Sequence, residues 1–166
     1  LSSSIIRRSD GDLKRSLEDL TTEELRRQPA GAKSNPIGWL VWHLTRTRDN
    51  IVSSIAGEPP VWERGGWAQT FGMADEPPRL LPDDVHTFNP KDLSTLMGYF
   101  DSVASQTATV VGGLTPDDMT RVVESTIPGR PAQPILARLG TILNDNIQHI
   151  GQVAYLRGLI REHGWY

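Results

Sequence analysis

Apolar residues recur at spacings of three and four along four long stretches of this chain, the period of a helix with one buried face. The first covers about residues 3–19, where Ile5, Ile6, Leu13, Leu17 and Leu20 form a loose apolar face that Gly11 weakens. The second, about 36–56, carries Ile37, Leu40, Val41, Leu44, Ile51, Val52 and Ile55. Asn35 stands where a cap is needed, and Pro36 takes the first helical position, where its missing N–H costs nothing. Gly57 and the pair Pro59 and Pro60 end this helix. The third, about 90–111, presents Leu93, Leu96, Met97, Phe100, Val103 and Val110. Asn89 and Pro90 repeat the cap-plus-proline pattern, Asp92 suits the first turn, and Gly112 and Gly113 terminate the helix. The last, about 133–162, builds its stripe from Ile135, Leu139, Ile142, Val153, Leu156 and Ile160.

Between these stretches the pattern changes. Thr21 and Glu24 have the spacing of a capping box, with Leu20 and Leu25 placed as a hydrophobic staple, and Pro29 to Gly31 stop the short helix they open. Thr115 and Asp118, flanked by Leu114 and Met119, repeat that arrangement after the third long helix, which suggests a weak two-fold organisation. Residues 57–89 are rich in proline and glycine and hold Trp62, Trp67, Phe71 and Met73. They predict no long regular element, and a connection of that length is often functional. Residues 121–132 read as a short extended segment broken by Pro128, Gly129 and Pro131. The expected fold is all-α: a four-helix bundle in one domain over residues 1–166, with a long crossover loop between its second and third long helices.

Composition narrows the classes. The 166 residues suffice for one sizeable core, and 37% hydrophobic with 22% charged residues is ordinary for a globular protein. A net charge of −3 without a long basic run argues against nucleic-acid binding. No apolar stretch approaches the roughly 20 residues of a membrane span. The start lacks a signal-peptide pattern, because Arg7 and Arg8 follow the apolar pair Ile5 and Ile6 instead of preceding a long apolar run; a leader removed earlier stays open. A cytoplasmic location is the expectation. There is no cysteine, so disulfides, thiolate nucleophiles and Cys-type zinc sites are excluded. A metal would be held by carboxylate and by the four histidines His43, His86, His149 and His163.

Asp145 and His149, four residues apart, share one face of the last helix, on the stripe running from Ile142 to Leu156. Asn144, Gln148 and Arg157 fall off that stripe. A carboxylate aimed at a bundle core is costly unless paired or metal-bound. Asp145 could pair with Arg46, Arg48 or Arg138, or it could join His149 and His43 around a divalent ion. His43 lies at the edge of the second helix's apolar face, flanked by Trp39 and Trp42. Two imidazoles and one carboxylate leave open positions, the pattern of a catalytic metal site. His86 falls in the proline-rich loop, and His163 near a helix C-terminus suits a capping role.

The segment Asn35 to Leu44, with its Trp39 and His43, and the segment Asp145 to Gln152 make the chain resemble the DinB-like superfamily. The likeness is strongest to its actinobacterial mycothiol-transferase and maleylpyruvate-isomerase-like branch. It spans about residues 10–160. Many members resembling this pattern have His where this chain has Asp145, and the mycothiol-type branch often has Glu. The resemblance implies a bundle that binds Zn, Ni or a similar divalent ion through His43, Asp145 and His149. It implies, further, a metal-dependent S-transferase acting through a low-molecular-weight thiol such as mycothiol on an electrophilic substrate. Gln152 is the candidate to orient a ligand, and Arg46 and Trp42 are candidates to contact the cofactor, with Arg48 a further cation. Trp62, Trp67 and Phe71 would shape the mouth or pack beneath it. Gly151 would let a neighbouring helix approach. A homodimer is expected by resemblance. The rival readings are a metal-dependent hydrolase using the same ligands, and a non-catalytic bundle that binds a metal or small ligand and dimerises.

Overall fold

The computed structural model describes residues 2–32, 34–73, 88–125 and 129–163. Four long helices carry the fold: α1 (Ser2–Leu17), α3 (Ile37–Ala56), α6 (Leu93–Gly113) and α7 (Ile135–Arg161). Three short ones connect them: α2 (Thr22–Arg26), α4 (Val61–Arg64) and α5 (Trp67–Thr70). The predicted all-α bundle is what forms. Helix α3 packs against both α6 and α7, and α1 packs chiefly against α7. Trp39 and Leu40 near the start of α3 share a cluster with Val153 and Leu156 near the end of α7. At the opposite end, Ile51, Val52 and Ile55 cluster with Ile135, Leu139 and Ile142. The two helices therefore run antiparallel, and His43 falls opposite the middle of α7.

Local chemistry explains most boundaries. The Thr21 hydroxyl accepts from the Glu24 N–H at 3.2 Å, and the Glu24 carboxylate accepts from the Thr21 N–H at 2.8 Å, closing the predicted capping box. Thr115 and Asp118 make the same reciprocal pair, at 2.9 and 3.4 Å, but it opens a 3-10 turn over Asp117–Thr120 instead of an α-helix. Helix α3 begins one residue later than its sequence suggests: Pro36 is the N-cap, and no side chain caps it, so Asn35 does not have that role. Helix α6 starts at Leu93 because Asp92, not Asn89, accepts the Thr95 N–H at 2.7 Å. Gly112 and Gly113 lie inside its last turn. The extended segment supplies β1 (Val122–Val123), which pairs antiparallel with β2 (Gln133–Pro134) in the register Val122 to Pro134.

Helix α7 needs one correction. Its buried stripe runs through Ile135, Arg138, Leu139, Ile142, Asn146, Ile150, Val153, Leu156 and Arg157. Arg157 belongs to it because its guanidinium donates to the Ser16 and Glu18 carbonyls at the end of α1, at 3.3 and 2.6 Å. Asp145 and His149 stand at the edge of the stripe, beside α3, instead of at its centre. No atom among the described residues of this chain lies within 4 Å of a Cβ at Gly151, so none of the chain's described helices approaches there.

Candidate metal centre

His43 of α3 and Asp145 and His149 of α7 meet across the antiparallel pair, with one ligand atom of each within 4.8 Å of the others. Asp145 Oδ1 lies 3.8 Å from His43 Nε2 and 3.6 Å from His149 Nε2. The imidazoles meet edge to face, their centroids 5.0 Å apart. Donors that each sit about 2.1 Å from one ion stand roughly 3–3.5 Å apart, so a small contraction suffices to enclose a metal. The other oxygen, Asp145 Oδ2, is buried and accepts no hydrogen bond from the described residues. A buried carboxylate oxygen without a donor is costly, and a cation between the three side chains removes that cost. The residues fit a divalent ion.

Their surroundings hold them in place. Trp39, one turn before His43, stacks on its ring at 4.6 Å and 16°, and meets His149 edge-on at 6.5 Å. Gln152 Oε1 is 2.7 Å from His149 Nδ1. With the proton on Nδ1, that contact turns Nε2 toward Asp145, the orienting bond typical of ligating histidines. Burial pushes the His43 imidazole below its ordinary pKa, helped by His149 and the Arg130 charge and opposed by Asp145. The His149 imidazole is pushed up, chiefly by Asp145 and then by Gln152, against burial. Burial thus favours the neutral form of His43, while the Asp145 charge favours the protonated form of His149.

Residues 5–153 match the family model described as the DinB superfamily. The chain belongs to that superfamily. A search of curated proteins finds no match. Among solved structures, the chain is similar to the conserved protein of a locus from Enterococcus faecalis, with a TM-score of 0.84 and 22% identity. That likeness covers 98% of this chain and 96% of the other. It shows a shared fold.

The remaining candidates on this DinB-superfamily bundle are placed as follows. Arg46 is engaged away from the His43, Asp145 and His149 cluster: its Nη1 lies 3.4 Å from the Tyr99 hydroxyl and 3.5 Å from Asp49, and its guanidinium covers the Trp62 ring at 4.8 Å. Arg48 is buried, forked onto Asp10 at 2.6 and 3.1 Å and bonded to Thr107 at 2.9 Å. Neither pairs with Asp145, and Arg138 forms no ion pair with it. Trp42 is buried against Trp62 and Phe88. Trp62, Trp67 and Phe71 pack around Tyr99. His163 Nδ1 sits 2.7 Å from the Arg161 carbonyl at the end of α7. His86 lies outside the described residues.

Asp49 was not singled out from the sequence. It is fully buried, and its carboxylate accepts from the Val61 and Trp62 N–H groups at 2.8 and 2.9 Å and from the Tyr99 hydroxyl at 2.7 Å. It thereby pins the start of α4 onto α3. Its spacing, three residues before Val52 and in register with that helix's apolar stripe, was the available signal.

Proposed function

We propose that the protein is a divalent-metal-dependent enzyme of the thiol S-transferase type, with His43, Asp145 and His149 as the metal ligands. The observation that carries the reading is the buried, donorless Asp145 Oδ2 beside two imidazoles. Zinc or nickel suits a site of two imidazoles and one carboxylate. A bound ion there supplies Lewis acidity, which favours the thiolate form of a thiol such as mycothiol, the form that attacks an electrophile. The protein's own groups do the rest. Gln152 fixes the His149 ring, and Trp39 fixes His43 and gives the α3 side of the site an apolar surface. The chain's lack of cysteine agrees with a nucleophile supplied by a cofactor.

The test begins with elemental analysis of protein purified without a metal-affinity step. About one first-row metal per chain is expected, reduced to a trace in both His43→Ala and His149→Ala; full metal content in both variants would sink the ligand assignment. Turnover of an electrophile such as monochlorobimane should then require both the metal and mycothiol. Metal-dependent ester cleavage without any thiol requirement would point to a hydrolase instead. A metal-loaded protein inert in both assays would leave a binding protein.

A further inference from the structure

Arg138 stands seven residues before Asp145 on α7, two turns away on the same helical face, about 10 Å along the axis. Its side chain is 4% exposed. Neither its Nε nor its Nη2 has a hydrogen-bond partner, and it forms no ion pair among the described residues. The chain's other buried arginines are treated differently. Arg48 is forked onto a carboxylate, and Arg157 donates to two carbonyls. A buried guanidinium with idle donors costs several kcal/mol unless an anion meets it. None of the side chains close to it in sequence on α7 is acidic until Asp145 itself.

A second cation acts on the same cluster of side chains. Arg130, in the connection between β1 and β2, is exposed and makes no ion pair among the described residues. Its charge reaches the His43 imidazole from outside the bundle. Just after β1, the Ser54 hydroxyl of α3 bonds the Glu124 carbonyl. Along the α3–α7 seam, from the three clustered side chains toward the start of α7, Arg138 therefore lies on the α7 face they share, and Arg130 lies in the segment that precedes that helix.

We infer that this seam is a carboxylate-binding subsite: Arg138, with Arg130 at the rim, holds an acidic group of a ligand whose other end reaches the metal ligands. Arg138 presents a planar fork that matches a carboxylate bidentately, which a lysine could not. The assignment of length rests on the metal reading; the anion site itself does not. It names the ligand class as an elongated molecule with a metal-seeking atom at one end and a carboxylate at the other.

The test uses two thiols of equal length, mercaptohexanoate and mercaptohexanol, bound to the cobalt-loaded protein and followed by the thiolate-to-cobalt absorption. The wild type should prefer the acid by about tenfold, the worth of a charged hydrogen-bonded contact. Arg138→Met should erase the preference with cobalt still bound, and Arg130→Gln should reduce it in part. Arg138→Lys, keeping charge but not the fork, should fall between. Equal affinity of the wild type for both thiols, or an unchanged preference in Arg138→Met and Arg138→Lys, overturns the proposal. If the wild type takes up no cobalt, the metal reading fails alone, and the anion site is decided by adipate. Adipate should raise the melting temperature of the wild type and not of Arg138→Met; no rise in the wild type overturns it. Without any anion, Arg138→Met should melt no lower than the wild type, because it removes a buried unpaired charge. A clear drop would mark Arg138 as a structural residue instead.

Discussion

At the scale of single residues, buried polar atoms divide this protein into satisfied and waiting groups. Asp49 is satisfied, with four donors around one carboxylate, counting Ser53 at 3.1 Å, Val61, Trp62 and Tyr99. Its burial and its charge push the Tyr99 hydroxyl well above the ordinary phenol value, so Tyr99 stays a donor at any working pH. Asp49→Ala should cost about 3 kcal/mol or more, because it strands two backbone N–H groups and a buried hydroxyl. A thermal melt should show this as a fall of roughly 6–12 °C. Asp145 and Arg138 are the charged side chains among the waiting groups that lie on the α7 face of the site; the Trp39, Trp42 and Trp62 indoles, Gln106, Asn146 and the Arg157 Nε also have a buried atom that nothing among the described residues meets. The spacing of Asp145 and His149 was legible in the sequence because helical periodicity fixes which residues share a face. The waiting Arg138 was not, since being without a partner is a property of the surroundings.

At the scale of elements, capping and close approach decide how helices meet. Gly38, in the first turn of α3, leaves no room for a side chain: a Cβ there would stand 2.7 Å from Pro90 Cγ and 3.1 Å from the Leu25 carbonyl. Gly38→Ala should force α2 and the segment before α6 off α3, costing about 1–3 kcal/mol in chemical denaturation. The end of α7 is tied to α2 by Arg161, whose guanidinium meets the Glu24 carboxylate at 2.6 and 2.9 Å and also bonds the Asp19 carbonyl. That partner, with the Thr21 N–H, holds the Glu24 carboxyl down from 4.5 to about 2. A carboxyl depressed on folding stabilises above its unfolded value and loses that contribution as pH falls through the folded one. Melting curves between pH 5 and pH 2 should therefore show the wild type losing stability faster than Glu24→Gln, the two curves converging at the acid end. The four long helices and both Thr-x-x-acid boxes were readable because propensity, caps and periodicity act locally. The exact starts of α3 and α6 were not, because two Asn-Pro pairs offered a cap that the folded backbone did not use.

At the scale of the whole molecule, α7 divides its work between two sides. One side buries the bundle and carries the ligands at its edge. On the other, every exposed residue of the 27-residue helix is uncharged, and Leu136, Ile147, Tyr155 and Leu159 are 62%, 58%, 67% and 43% exposed. A long uncharged face with large apolar side chains marks an interaction surface. We propose that a second copy of this chain covers it, with α7 packed antiparallel on its two-fold mate; that arrangement sets Tyr155 against Gly140, where no neighbouring atom lies within 4 Å of a Cβ. Light scattering should give twice the chain mass for the wild type and a single chain mass for Ile147→Glu combined with Tyr155→Glu. A monomeric wild type would refute the pairing.

The sequence by itself determined the class of fold, the positions of the long helices and the pair Asp145 and His149, all consequences of interactions within a few residues. It offered His43 as the third ligand without fixing the encounter. Only the tertiary structure decided that α3 and α7 run antiparallel with His43 opposite Asp145. It also decided that Arg46 and Arg48 are spent on Asp49 and Asp10 while Arg138 finds no ion-pair partner among the described residues. The reason is physical: a local pattern fixes which way a side chain leaves its own helix, but what it meets is set by the packing of distant segments.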